Sequence, residues 1–272
     1  MNKKKIIALI FGVFFIGLGT YGFYFLYRQN KPEIIKDFPN PFKFNNGTKV
    51  ETKEEWDLRR EEIKETLLSK EYGHMPGRPD ALRAEVEDSD KFNDGSILNI
   101  VKLTIIPSNV TPDTNIEFTV WVYIPDEEGP LPAIVKVSPD GTGTQDKISD
   151  KVLERGYIFA CFEHTELDPD TRGYDIEGPC QKLYPDYDWG SLAVWAWGAM
   201  RVADYLLGES WVYAPDGIPH IDAEALIVTG HSRRGKTALL AGAIDERFKM
   251  VVPNGSGCGG AGSFLVQGYL CE

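Results

Sequence analysis

The chain has 272 residues, of which 42% are hydrophobic and 12% aromatic, enough for the core of one large domain or two small ones. Its formal net charge of -12 at pH 7 and its pI near 4.9 argue against a nucleic-acid-binding surface, because phosphate contacts require a basic patch. The composition therefore indicates a folded acidic domain and leaves both enzymes and binding proteins open.

The amino terminus combines three lysines, at residues 3–5, with an uncharged apolar run over residues 6–27. At about 1.5 Å per residue, this run is long enough to cross a hydrocarbon core of ~30 Å. It predicts a signal anchor or transmembrane segment over residues 1–28, with the rest of the chain outside the cell membrane. A cleaved signal, which would release a secreted domain, and a buried core helix are the alternatives.

A polar, proline-containing stretch over residues 29–53 follows and is typical of a linker. We therefore expect one domain over residues 54–272. The chain has four cysteines, which permit a disulfide outside the cell without fixing a pairing. No C-x-x-C or H-E-x-x-H pattern occurs, so the sequence predicts no metal site.

The first part of the domain reads as a helix followed by two strands. Apolar residues recur at helical spacing over residues 54–70, and Gly73 supplies a stop. Two β-rich segments, Ile97–Ile106 and Ile116–Ile124, are separated by a turn-rich PSNVTPDT. This pattern predicts an antiparallel pair.

Strands and helices then alternate along the chain. Antiparallel strands followed by this alternation predict a mixed, mostly parallel sheet between two layers of helices, which is an α/β fold. The predicted strands cover residues 133–137, 157–162, 225–229 and 250–253, and the predicted helices cover residues 149–155 and 191–207.

The segment GHSRRGKT, starting at Gly230, matches two signatures. It fits the phosphate-binding P-loop, in which Lys236 would contact a nucleotide. It also resembles a nucleophile elbow, in which Ser232 sits on a sharp turn between a strand and a helix. Several strands and helices precede the motif and no strand ending in aspartate follows it, so its context favours the elbow. The departure from the usual G-x-S-x-G pattern is Arg234, where glycine is expected.

The elbow with its arginine and lysine, GHSRRGK, resembles the G-[CH]-S-R-x-G-K motif of glucuronoyl esterases, a family of α/β-hydrolases that act on glucuronoxylan. The resemblance continues in WDLRREEIKETLLSKEYGHMPGRP, in YPDYDWGSLAVWAWGAMRVADYL and in RFKMVVPNGSGCGGA, in the family's order. It covers residues 56–261.

The resemblance implies that Ser232 is the nucleophile of an ester hydrolase. It implies that Arg233 stabilises the oxyanion and that Lys236 contacts the hydroxyl groups of the glucuronate sugar. It further implies that a glucuronoxylan-type polysaccharide or a small glucuronate ester is the substrate, and that no metal or organic cofactor is required. An acetyl-xylan or other carbohydrate esterase on the same fold is an alternative, as is an inactive fragment that binds carbohydrate only.

A serine hydrolase also needs a histidine and an acid, which follow the serine in α/β-hydrolases. No histidine follows His231 in the sequence, and Gly255 stands where some members of the family carry a glutamate. We therefore expect a chain truncated at its C-terminus, with both partners beyond Glu272. Among the upstream histidines, His164 is the one to test, because the predicted strand places it at the carboxyl edge of the sheet. The sequence favours structural roles for His231 and for His74, and it places His220 at the opposite end of the sheet.

Overall fold

A computed structural model describes residues 38–107, 115–139, 148–171 and 178–262. The chain divides into two units, the first formed by residues 1–39 with 265–270 and the second by residues 40–264 with 271–272. The first unit lies almost wholly outside the described residues, and the fold below is that of the second.

Helix α1, Lys53–Leu67, begins at a reciprocal pair of hydrogen bonds. The Thr52 hydroxyl accepts from the Glu55 backbone N–H at 3.1 Å, and the Glu55 carboxylate accepts from the Thr52 N–H at 3.2 Å. The helix widens into a π-turn, Leu68–Tyr72, and stops at Gly73, which has a φ of 78°. The predicted helix and its stop are confirmed.

The segment before α1 packs against it. The rings of Phe42 and Trp56 lie 5.2 Å apart between centroids. Arg59, which is 7% exposed, donates from Nη1 to the side chain of Asn45 at 2.8 Å. The second half of the predicted 29–53 linker, from residue 40 onward, is therefore part of the domain rather than a spacer.

Eight strands form one sheet within the described residues. They are β1 Ala81–Lys91, β2 Ile97–Ile106, β3 Ile116–Ile124, β4 Leu131–Ser138, β5 Ile158–Glu163, β6 Val212–Tyr213, β7 Ile221–His231 and β8 Met250–Asn254. Their order in the sheet is β6-β1-β2-β3-β5-β4-β7-β8. Four of the neighbouring pairs are parallel and three, β1-β2, β2-β3 and β3-β5, are antiparallel. The mixed, mostly parallel sheet is confirmed.

Helices lie on both faces of this sheet. Side chains alternate between the faces along each strand, so that Ala160 and Phe162 of β5 face one helical layer while Phe159 and Cys161 face the other. The helices after α1 are α2 Ile148–Leu153, α3 Pro179–Leu183, α4 Ser191–Leu206 and α5 Arg233–Ile244. The first layer holds α4 and α5, and the second holds α2 among the described residues.

Helix α4 is buried on all sides rather than along one stripe. Every residue from Ala193 to Leu206 is buried, including the charged residues Arg201 and Asp204. The predicted apolar stripe correctly identified the helix, but it did not show that the opposite side is covered as well.

Within the described part of the chain, no helix combines the length and the apolar character that a membrane crossing needs. The predicted anchor over residues 1–28 lies outside the described residues. The same holds for residues 263–272, which include Cys271.

Candidate active site

Ser232 occupies the junction between β7, which ends at His231, and α5, which begins at Arg233. It has φ 60° and ψ -125°, and it is the only residue other than glycine with a positive φ among those described. Its backbone N–H donates to the Asn254 carbonyl of β8 at 2.9 Å, and its own carbonyl accepts from Gly235 N–H at 2.8 Å. This strained turn has the geometry that the elbow interpretation predicts.

Two glycines allow the turn to close. A Cβ atom at Gly230 would lie 2.3 Å from the carbonyl oxygen of Arg234, and one at Gly235 would lie 2.9 Å from that of Asn254. Between the two glycines, the chain passes through Ser232 directly into the first helical turn of α5. It does not form an open loop that could surround a phosphate. The glycine spacing that also matches a P-loop is therefore a packing requirement of the elbow.

The two arginines after Ser232 share one carboxylate. Arg233 Nη1 donates to Asp170 Oδ1 at 2.6 Å, and Arg234 Nη2 lies 3.6 Å from Asp170 Oδ2. The Asp170 side chain is 20% exposed and that of Arg234 15%, whereas that of Arg233 is 35% exposed. Arg233 thus reaches the carboxyl edge of the sheet with its guanidinium already paired.

His164 follows β5 and lies fully buried beside the elbow. Its ring stacks on Trp195 with centroids 4.0 Å apart, and its Nε2 accepts from Arg234 Nε at 2.9 Å. Burial, together with the nearby charge of Arg234, lowers the pKa of His164 to about 4. The imidazole is therefore neutral, and its Nε2 is engaged by Arg234. No hydrogen bond joins Ser232 to a histidine in the described part of the chain.

Lys236 lies one helical turn after Ser232, and its backbone N–H donates to the Ser232 carbonyl at 3.3 Å. Its charge acts on Glu71 of the π-turn, where partial burial raises the carboxyl pKa and Lys236 opposes that rise. The hydroxyl of Tyr72 donates to the Gly259 carbonyl at 2.7 Å, which ties the π-turn to the loop after β8. No local pattern in the sequence indicates that Glu71 lies near the elbow.

The other histidines have separate surroundings. His74 lies between Asp188 and Glu65, at 3.0 and 3.2 Å, and hydrogen bonds to these carboxylates raise its pKa. His220 precedes β7, at the end of the strand opposite to Ser232, as predicted.

His231 borders position 255. A Cβ atom at Gly255 would lie 3.2 Å from His231 Cε1, and Gly255 has a φ of 56°. Position 255 thus faces His231 and, in this chain, has no side chain.

Comparison with known proteins identifies the family. The family model described as "Glucuronyl esterase, fungi" matches residues 109–270, which is more than half of the chain. The chain belongs to the glucuronoyl esterase family. A 4-O-methyl-glucuronoyl methylesterase from Thermothelomyces thermophilus is 30% identical to it over 233 residues. That match covers 84% of this chain and 51% of the relative.

Solved glucuronoyl esterases share the fold. The enzyme from Solibacter usitatus matches with a TM-score of 0.68 at 27% identity, over 83% of this chain and 65% of that chain. A serine-to-alanine mutant of the Sporotrichum thermophile enzyme was solved with methyl 4-O-methyl-β-D-glucopyranuronate. It matches with a TM-score of 0.59 at 30% identity, over 82% of this chain and 53% of that chain. The α/β-hydrolase fold is confirmed. The chain spans about half the length of the curated relatives that it matches.

Replacing Ser232 by glycine is expected to stabilise the fold. A residue held at a sparsely populated backbone conformation stores about 1–3 kcal/mol, which glycine releases, although glycine adds entropy to the unfolded chain. We expect the free energy of unfolding to rise by about 1 kcal/mol in urea titrations.

The matched control for this change is Ser89→Gly. Ser89 is an exposed residue within β1, where glycine weakens the strand, so the expected change has the opposite sign. A loss of stability in both variants would show that the elbow stores no strain.

Proposed function

We propose that the chain carries the elbow of a serine-type carboxylic ester hydrolase that acts on glucuronoyl esters of xylan. The observation that carries the proposal is Ser232, held at φ 60° where the β7 strand meets the amino end of α5. The relatives described above are 4-O-methyl-glucuronoyl methylesterases, which supports the substrate class.

In the proposed reaction, the Ser232 oxygen attacks the ester carbonyl carbon and loses its proton to a base. The carbonyl oxygen becomes negatively charged, and the amino end of α5 directs its first backbone N–H groups toward this charge. Arg233 adds a guanidinium. Each preorganised donor of this kind contributes about 3–4 kcal/mol to transition-state stabilisation. The alcohol then leaves with a proton, and water hydrolyses the acyl-enzyme to the glucuronate and free serine.

The charges around the elbow support the proposed substrate class. Arg233 and Lys236 place two cations within one helical turn of Ser232, and Glu71 adds a carboxylate nearby. Such a rim suits a hydroxyl-bearing sugar acid ester better than an aliphatic one. We propose a glucuronoxylan-type polysaccharide or a small glucuronate ester as the partner, with no cofactor in the reaction.

The proposed location is outside the cytoplasm. It rests on the lysines at residues 3–5 that precede the apolar run, a pattern that directs export across a membrane.

A second candidate is carbohydrate binding without turnover. The observation that favours it is the use of His164 Nε2 as an acceptor for Arg234, which leaves that nitrogen unavailable as a base for Ser232. In this case the elbow would hold a glucuronate without cleaving its ester.

The test compares the chain with Ser232→Ala on methyl 4-O-methyl-glucuronate and on acetylated xylan. If the proposal is right, the chain releases methanol and the substitution lowers kcat on the order of 10³-fold or more. The control Ser89→Ala, an exposed serine of β1, leaves kcat unchanged.

Three other results would contradict the proposal or favour another function. Turnover that survives Ser232→Ala would contradict the mechanism. Release of acetate alone would favour an acetyl-xylan esterase. Saturable binding of the glucuronate ester with no methanol release would favour the binding protein.

A further inference from the structure

We infer that Asp170 is a positioning residue whose carboxylate fixes the guanidinium of Arg233 at the elbow. Arg234 approaches that carboxylate from its other side, and His164 in turn accepts a hydrogen bond from Arg234. The role rests on the proposed function, because it concerns the donor that would meet the charge formed when Ser232 attacks.

The two carboxylate oxygens of Asp170 have different neighbours. Oδ1 accepts from Arg233 Nη1 at 2.6 Å, while Oδ2 lies 3.6 Å from Arg234 Nη2 and 3.8 Å from His164 Nε2. With 20% of its side chain exposed, Asp170 is screened by water only in part. Its negative charge lies between two adjacent arginines that would otherwise repel each other.

Arg234 is itself held by a neutral histidine. Arginine N–H groups can only donate, so His164 Nε2 must be the unprotonated acceptor of the 2.9 Å contact, and the ring proton resides on Nδ1. The ring is fully buried against Trp195, and its Nδ1 has no hydrogen-bond partner among the described residues. A charged imidazole at this place would face both arginines, whereas the neutral ring accepts one of them.

This arrangement gives a role to Arg234, which stands where the usual elbow has glycine: it helps to hold the partner of Arg233. The Arg233 side chain is partly exposed, and without a fixed partner it would sample many rotamers. A donor stabilises a developing charge most when it is already oriented before the reaction. Arg234 gives Asp170 a second cationic partner, so that the carboxylate stays in place when substrate approaches Arg233.

Side-chain NMR tests the geometry without reference to activity. The sequence has four histidines, so their ring nitrogens can be assigned. We expect His164 to be neutral at pH 7 with its proton on Nδ1, and the Arg233 guanidinium to show restricted rotation. Asp170→Asn should release that restriction, while Asp57→Asn, at an exposed position of α1, should not. A proton on Nε2 of His164, or an Arg233 equally mobile in all three proteins, would overturn the inference.

Kinetics tests the consequence. For methyl 4-O-methyl-glucuronate, Asp170→Asn should lower kcat on the order of 10–100-fold, with KM changed less than about twofold, because a small misplacement of a reacting group has effects of this size. Arg234→Gln should also lower kcat. This variant takes the place of Asp170→Asn in the test if Asp170→Asn does not fold. Asp170→Glu should recover part of the loss, which a purely structural role would not predict.

Failure of the proposed function and failure of the positioning role give different results. A parent chain that does not hydrolyse the ester contradicts the proposed function, and the NMR comparison alone then decides whether Asp170 fixes Arg233. A parent chain that hydrolyses the ester with a kcat unchanged by both Asp170→Asn and Arg234→Gln overturns the positioning role.

Discussion

Asp204→Asn is expected to lower the free energy of unfolding by about 3–5 kcal/mol. Asp204 lies on α4 with its side chain 2% exposed, where it pairs with Arg201 Nε and accepts from Arg247 Nη1 at 2.6 Å. The Arg201 side chain is 6% exposed, and its Nη1 has no hydrogen-bond partner among the described residues. Removing the carboxylate charge leaves this buried guanidinium without its counter-ion. Urea titration with a fixed slope measures the change.

The control removes a charge from the same group of ion pairs, at a residue that is exposed to solvent. Glu209 pairs with Arg247 Nη1 at 2.9 Å, but its side chain is 37% exposed, so Glu209→Gln should cost less than about 1 kcal/mol. The double change Arg201→Met with Asp204→Leu should recover most of the loss, because it removes both buried charges together. If Asp204→Asn stays within about 1 kcal/mol of the parent chain, the buried pair does not stabilise α4.

Strands of the sheet could be predicted where an apolar segment of the sequence is followed by a proline. The strands Ile97–Ile106 and Ile116–Ile124 were predicted to the residue, because each is rich in β-branched residues and ends at a proline. The helix α4 was predicted from its apolar spacing, but the burial of its charged residues depends on Arg247, which lies 43 residues later in the chain.

Strand β1 could not be predicted from its side chains. Its carboxyl-terminal half, from Glu87 to Lys91, is exposed and charged, and therefore resembles a loop. The backbone nonetheless pairs with β2 along the full length of the strand, with one irregularity after Val86. An edge region of this kind is held by ladder hydrogen bonds, which leave no periodicity in the sequence.

The residues of the candidate site, too, could be predicted from the sequence only in part. Ser232, Arg233 and Lys236 are neighbours in the chain, so one local motif brings them together. Asp170 and His164 contact the elbow from 63 and 70 residues away, at positions that depend on the order of β5, β4 and β7 in the sheet. His164 was a candidate base by its place in the sequence, whereas the structure places it against Arg234. No local pattern could reveal that contact.

Gly230→Ala is expected to destabilise the domain by about 3 kcal/mol or more, because the added methyl group meets backbone atoms that cannot rotate away. Its Cβ would lie 2.3 Å from the carbonyl oxygen of Arg234 and 2.5 Å from the carbonyl carbon. Relief requires the first turn of α5 to move away from β7. That movement would also displace Ser232 and shift its hydrogen bond to Asn254.

The matched control is Gly77→Ala, at a glycine where an added Cβ would meet no atom within 4 Å. Urea titrations should show a large loss of stability for Gly230→Ala and a change within about 0.5 kcal/mol for Gly77→Ala. If both substitutions have equally small effects, α5 can shift without cost, and the glycine before the elbow is then not required for its geometry. If only Gly230→Ala destabilises, the close approach of β7 and α5 fixes the conformation of Ser232, since the strand and the helix cannot separate independently of the turn that joins them.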